Sequence, residues 1–252
     1  MNDDVPLANI VAEAERLMSV ARDRQVVVRL IGGLAVRLHV PASEKPIFTR
    51  EYKDIDLATV RGQGKAVAAF LESAGYKPDR SFNSVNGSDR LLFWDPPNGR
   101  QVDVFVGSFQ MCHSIPITDR IVQDSAGIPL AELLLTKMQI VELNTKDQID
   151  IVTMLYHHDL ADHDNGHINQ SQVARLCAAD WGLWRTTKLN CERVRSGLDE
   201  AELTAEQRLL VSGRLDRLWQ RIEAEPKSAR WKMRNRVGDR VRWYEEPEEV
   251  AQ

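Results

Sequence analysis

Apolar positions along the chain recur at two different periods, and the changes of period mark out its elements. Residues 7–23 bring Ile10, Ala14, Leu17 and Met18 near one face at helical spacing, which predicts an amphipathic helix. Residues 26–33 (VVVRLIGG) are a short β-branched run closed by two glycines, as expected of a buried strand. The residues after the glycines (GGLAVRLHV) favour a helix, so the segment reads as strand, Gly-Gly turn, helix. Residues 41–53 contain two prolines and several charges and predict a loop. Residues 54–60 (DIDLATV) alternate and predict a strand, and residues 65–76 predict a helix stopped by Gly75. Strands near 90–94 and 101–106 flank Pro96-Pro97-Asn98-Gly99 and predict a hairpin.

Two apolar helices follow at 129–143 and 147–158, and the turn-rich HDNGH (163–167) reads as a junction. Residues 170–198 form a mainly helical stretch, a further helix follows Thr204 as N-cap, and Pro226 sets off a last basic stretch. The expected fold class is α/β: a small mixed β-sheet core flanked by helices over residues 1–160, then a mainly helical C-terminal region over 168–252. The chain has no internal repeat and no low-complexity tract.

Composition narrows the class without identifying it. With 252 residues, 43% hydrophobic and 28% charged, the chain has enough apolar material for one large or two small cores. No apolar run approaches the roughly 20 residues needed to span a bilayer. The acidic start, MNDDVPLANI, lacks the basic and apolar segments of a secretory signal, so a soluble cytoplasmic protein is expected. Cys112, Cys177 and Cys191 are few, odd in number and without a CxxC pair; reduced, packed thiols are expected. The net charge of −4 conceals an asymmetry. Between Arg208 and Arg242 there are 11 Lys/Arg against 4 Asp/Glu, a local +7 that leaves −11 elsewhere. Such a chain can hold cations in one place and attract phosphates in another.

The candidate chemistry lies in three acids and a glycine pair. Asp54 and Asp56 are two residues apart on a predicted strand, so both carboxylates face one side while Ile55 faces the other. Like charges held side by side are best tolerated around a cation. Asp103 interrupts the apolar run Val102–Val106 and, if buried, needs a partner. If the two strands are neighbours, three carboxylates converge, and such hard oxygen donors suit Mg2+ or Mn2+. Gly32-Gly33 follows a strand and opens a helix, where free N–H groups and close backbone approach favour phosphate.

In this order the residues resemble a known pattern. Ile31-Gly32-Gly33-Leu34-Ala35, Lys53-Asp54-Ile55-Asp56-Leu57 and Val102-Asp103-Val104-Phe105 resemble the motifs of the DNA-polymerase-β-like nucleotidyltransferase superfamily. Leu134-Leu135-Thr136-Lys137 and Thr145-Lys146-Asp147-Gln148-Ile149-Asp150-Ile151 look like the later motifs of its AbiEii-like branch, which includes toxins of type IV toxin–antitoxin systems. The resemblance covers residues 26–155 and not the C-terminal third. It implies transfer of a nucleoside monophosphate from an NTP to an acceptor hydroxyl on RNA (tRNA) or protein, with a possible antitoxin as partner. It implies that Asp54, Asp56 and Asp103 bind metal, that Gly32 and Gly33 hold the triphosphate, and that Lys137 contacts a phosphate. Asp147 or Asp150 would act near the acceptor or orient Lys137. Two departures stand out: the second glycine replaces the common serine, and about 20 residues separate Gly33 from Asp54. The intervening loop therefore reads as an insertion from which Lys45, Arg50 or Lys53 can reach phosphates. Other branches modify aminoglycoside or lincosamide antibiotics, and a degenerate nucleotide- or RNA-binding module is a third alternative.

Two further groups admit plainer readings. His157, His158, His163 and His167, with Asp159, Asp162 and Asp164, fit no strong metal motif and read as a solvated helix end. The basic stretch Arg230, Lys232, Arg234, Arg236, Arg240 and Arg242 alternates with Trp231, Trp243 and Tyr244. It reads either as an RNA contact or as a helical surface that packs its tryptophans and pairs its charges.

Overall fold

The computed structural model describes residues 5–123 and 127–246. The first four residues of the acidic start and residues 247–252 of the C-terminal region lie outside the described residues. The fold is α/β with a helical C-terminal region, as the pattern predicts. The chain forms two compact units. The first comprises Met1–His39, Thr49–Phe109 and Ile115–Pro129; the second comprises Val40–Phe48, Gln110–Ser114 and Leu130–Gln252.

The first unit opens with α1 (Ile10–Asp23), whose Asn9 side chain accepts hydrogen bonds from the Val11 and Ala12 N–H groups. Then come β1 (Arg29–Ile31), α2 (Gly32–His39), β2 (Ile55–Thr59), α3 (Gly64–Ser73), β3 (Lys77–Pro78), α4 (Arg80–Asn86), β4 (Arg90–Asp95) and β5 (Arg100–Val106). The sheet order is β1-β2-β5-β4-β3. β2 and β5 run parallel and every other pair is antiparallel. Leu30, Ile55, Leu57, Phe93, Val102 and Val104 are fully buried and form the sheet's share of the core, with Leu17 and Leu71 from the helices. The expected hairpin is present: Asp95 faces Arg100 across it, and Gly99 takes φ +62° in the turn. The pair is buried and ionic, with Arg100 Nε donating to Asp95 Oδ2 at 2.9 Å. The short α4 and β3 carry no clear periodic signal and are visible only here. A small hairpin, β6 (Ser108–Gln110) with β7 (Ser114–Pro116), and a 3-10 turn at Asp119–Gln123 complete the segment before Leu130.

The second unit contains α5 (Leu130–Met138), α6 (Thr145–His157), β8 (Leu160–Ala161), β9 (Ile168–Asn169), α7 (Gln170–Ala179), α8 (Trp181–Gly197), α9 (Ala205–Ala224) and α10 (Ala229–Val237). The division falls at Pro129–Leu130, ahead of the junction expected at 163–167, because α5 and α6 pack against α7, α8 and α9. In α9, Val211, Leu215, Leu218 and Ile222 are all fully buried at helical spacing. Thr204 caps that helix as expected and forms a capping box with Gln207. The stretch 170–198 is two helices. Asp180 takes an extended conformation between them, and its carboxylate accepts from the Gly182 and Leu183 N–H groups. α5 ends at Met138, short of 143, where Asn190 Nδ2 donates to the Met138 and Ile140 carbonyls. The three cysteines are free and buried, and burial pushes the Cys177 thiol up to about 12. Among the described residues no helix is long and apolar enough to cross a membrane.

Candidate functional site

The sequence turns from strand to helix where expected. β1 ends at Ile31, Gly32 takes φ +71°, and α2 begins. The antiparallel register sets Ile31 opposite Asp56, and the parallel register of β2 and β5 sets Asp56 opposite Asp103. Opposed residues in a sheet share a face, so both carboxylates arise on the same side. Asp54, just ahead of β2, is exposed; within β2 Asp56 is half-buried while Ile55, Leu57, Ala58 and Thr59 are fully buried. Lys53 is exposed. A side chain at Gly32 would collide with the Asp56 carboxylate, so glycine is required there twice over, for space and for its positive φ. A side chain at Gly33 would collide with the Arg50 guanidinium. Arg50 lies over the Tyr52 ring at 4.6 Å. Of the three basic loop residues considered, Arg50 is therefore the one placed against the glycine pair, while Lys45 and Lys53 are exposed.

Asp103 has partners that the motif did not include. It is only 3% exposed. Arg90 donates to its Oδ1 through Nε at 2.8 Å and approaches it through Nη2 at 2.7 Å. Gln101 Nε2 donates to its Oδ2 at 2.6 Å. The Arg90 guanidinium lies 5.1 Å from the centre of the Phe105 ring. A buried carboxylate needs such compensation, and an arginine beside it supplies charge and directional bonds together. The signal for Arg90 was in the sequence. With Asp95 opposite Arg100, counting back along the hairpin sets Leu92 opposite Asp103 and Arg90 on its diagonal.

Carboxylate oxygens are the right chemistry for a hard divalent cation, and Asp54 and Asp56 offer them at an accessible position. Asp103 fits as a further ligand only on giving up Arg90 or Gln101. Among the described residues no group of three or more His, Cys, Asp or Glu side chains is arranged to hold one ion.

Lys137, Asp147 and Asp150 come together within the second unit. Lys137 Nζ donates to Asp147 Oδ1 at 2.8 Å and lies 3.0 Å from Asp150 Oδ2. Burial alone would lower the Lys137 pKa, but Asp150 and Asp147 outweigh it and hold the ammonium above the ordinary lysine value. Asp147 also occupies the first turn of α6, where Asn144 caps the helix by accepting from its N–H. Asp150 therefore pairs with Lys137, although Lys146 is the nearer lysine in sequence.

The histidines are engaged individually. His157 Nδ1 bonds Glu44 at 2.7 Å and its Nε2 accepts from the Ile47 N–H; His158 Nδ1 bonds the Gly166 carbonyl and His167 Nδ1 the Asn165 carbonyl. In the basic stretch, Trp231 is buried, and Trp243 Nε1 donates to Thr186 Oγ1 at 3.0 Å. Arg234 lies 4.1 Å from the centre of the Trp181 ring and donates to the Gly238 and Val241 carbonyls. The tryptophans pack, while Arg230, Lys232, Arg236 and Arg240 stay exposed.

Substitutions at two glycines separate space from backbone strain at the site. Gly32→Ala is expected to cost about 2–3 kcal/mol, because the positive φ and the collision with Asp56 add. Gly99→Ala, with nothing within 4 Å of its added carbon, should pay only the backbone share, about 1 kcal/mol. Urea unfolding of both variants gives the difference; equal losses would show that Asp56 does not crowd Gly32.

No protein-family model, curated protein or solved structure matches the chain.

Proposed function

We propose that the protein is a divalent-cation-dependent nucleotidyltransferase that moves a nucleoside monophosphate from an NTP to an acceptor hydroxyl and releases pyrophosphate. One observation carries this reading: Asp56 lies opposite Asp103 on neighbouring parallel strands and directly beside a glycine that opens a helix. Mg2+ or Mn2+ supplies charge stabilisation at the phosphoryl oxygens when bound. Asp54 and Asp56 are the residues that would hold it. The first turn of α2, with Gly32 and Gly33, offers backbone N–H groups and the positive end of a helix to the triphosphate. Arg50, stacked on Tyr52 against Gly33, adds a cation at the same place. Asp103, once released from its pair with Arg90, would take the proton of the attacking hydroxyl. Positioning and charge therefore supply most of the rate enhancement, and no covalent step on the protein is required.

The acceptor follows from the resemblance and from charge. A tRNA or other RNA hydroxyl is the leading acceptor and a protein hydroxyl the second, in a toxin-like role with an antitoxin as partner. The exposed Arg230, Lys232, Arg236 and Arg240 favour a polyanionic acceptor over a small drug. A second reading has an observation of its own. The Arg90–Asp103 pair satisfies the third acid without a cation, as a degenerate module that binds nucleotide or RNA without turnover would.

The test is incubation with Mg2+ or Mn2+ and each labelled NTP, in the presence of total RNA, of the protein itself, or of aminoglycoside and lincosamide antibiotics. Label on RNA or protein is the expected result. Label on a drug would move the protein to an antibiotic-modifying role. NTP binding without label on any acceptor would favour the degenerate module.

A further inference from the structure

The second unit contains a cavity of about 640 Å³. Its wall includes Trp181, Trp231, Trp243 and Tyr244, together with Arg230, Arg234 and Arg242. The aromatic part is firmly built. Trp181 and Trp243 meet edge to face, with centres 6.4 Å apart, and Trp181 Nε1 donates to Asn235 Oδ1 at 2.7 Å. Trp243 donates to Thr186 Oγ1, whose own hydroxyl lies 2.8 Å from His113 Nε2. Burial lowers the His113 pKa against the opposing pull of Asp180 and Glu245. The Glu245 N–H donates to the Cys112 carbonyl, which ties the Trp243–Glu245 segment down.

The charged part of the wall is unequally committed. Arg234 is held by two carbonyls and by the Trp181 ring. Asp180 Oδ1 accepts from the Gly182 and Leu183 N–H groups at the start of α8, and Glu245 accepts from Gln110. Arg242 pairs with Glu246 at the surface and lies over the Tyr244 ring at 4.7 Å. Such an exposed pair is weak and readily exchanged for a phosphate. Arg230 is exposed and has no ion pair among the described residues. The wall thus combines two half-buried rings, Trp243 and Tyr244, two exposed guanidinium groups, and the indole N–H of the buried Trp231, a donor without an acceptor.

We infer that this cavity binds a single nucleotide unit, with its base against the half-buried Trp243 and Tyr244 rings and its phosphate at Arg230 and Arg242. Ring faces accept any base by stacking, and guanidinium groups take phosphate oxygens in pairs. The cavity volume is in the range of small-ligand sites. A free nucleotide and the end of a single-stranded nucleic acid present the same chemistry. The inference deepens the RNA part of the proposed function, but it requires only binding.

Five of the six tryptophans (Trp181, Trp184, Trp219, Trp231 and Trp243) lie in the second unit, so indole fluorescence of the full chain reports on this cavity. AMP, inorganic phosphate and a short oligoadenylate would be titrated without divalent cations. The expected result is saturable quenching by AMP at no more than about 1 mM, at least about tenfold tighter than phosphate. The Arg230→Glu/Arg242→Glu variant, altered only at exposed positions, should weaken AMP at least about tenfold while keeping the wild-type circular dichroism and melting curve. Oligoadenylate binding tenfold tighter than AMP would identify a strand end as the occupant, and equal affinities a free nucleotide. Absence of saturation with both AMP and oligoadenylate, phosphate binding as tightly as AMP, or a variant that binds like wild type would overturn the inference. Repeating the titration with Asp54→Ala/Asp56→Ala separates the two proposals: binding retained without transfer leaves the cavity assignment intact, and transfer without binding at the cavity removes only that assignment.

Discussion

Replacing Asp54 or Asp56 by alanine is expected to lower nucleotidyl transfer by about 10³-fold or more, with the fold intact. Asp54 is exposed and Asp56 half-buried, so neither side chain supports the apolar core. Asp54→Ala should change stability by no more than about 0.5 kcal/mol. Asp54 and Asp56 are the residues that would hold the cation. The variants should therefore also lose any rise in melting temperature that Mg2+ gives the wild type, since a ligand that binds only the folded state stabilises it. Transfer is read from labelled NTP, and the cation effect from thermal melts with and without Mg2+. Wild-type turnover in both variants would remove these acids from the site; a retained Mg2+ shift would place the cation elsewhere.

Lys137→Met should destabilise the second unit by about 3–5 kcal/mol, the cost of leaving buried charges without their partner. The Lys137 side chain is 12% exposed and those of Asp147 and Asp150 are 11% and 3% exposed, so little water is at hand to replace the ammonium. The pH dependence has a definite sign. In the wild type the Lys137 pKa is raised, so its contribution is complete below the unfolded lysine value and disappears as pH rises through the folded one. The variant lacks that contribution, so the stability gap between wild type and variant should narrow as pH rises through the folded lysine value. Denaturant unfolding of both at pH 7 and at alkaline pH checks this. A variant as stable as wild type at pH 7 would show that the two acids do not depend on Lys137. Because the triad fixes α5 to α6, the same substitution lowers transfer through folding as well as through any phosphate contact, and activity must be compared at matched folded fractions.

Much of the first unit was legible from local pattern. The strand–glycine–helix turn at 29–39, the strand β2 and the hairpin about Pro96-Pro97-Asn98-Gly99 all follow from local residue pattern and turn chemistry, although β2 is buried at every position but Asp56 rather than alternating. These signals act over a few residues, where backbone geometry leaves few choices. The hairpin turn also fixed a register, and that register contained Arg90 as the diagonal neighbour of Asp103. A motif of acids and glycines passes over such a residue because it describes like residues in order and says nothing of what balances them. The break at Asp180 was harder to read, since an aspartate that ends one helix and caps the next differs little in sequence from one on a helix surface.

By itself the sequence determined the α/β class, the longer elements apart from the break at Asp180, the face on which Asp56 lies, the cap at Thr204 and the glycine pair that opens α2. The tertiary structure alone decided most of the partners: Gln101 beside Arg90 on Asp103, Arg50 against Gly33, two aspartates around Lys137, and a packed tryptophan cluster beside basic residues that stay exposed. It also decided that α5 and α6 join the C-terminal helices. The reason is physical. Periodicity records which side of an element is dry, a property of neighbouring residues, whereas the partner of a charge depends on which distant segments the core brings within about 3 Å.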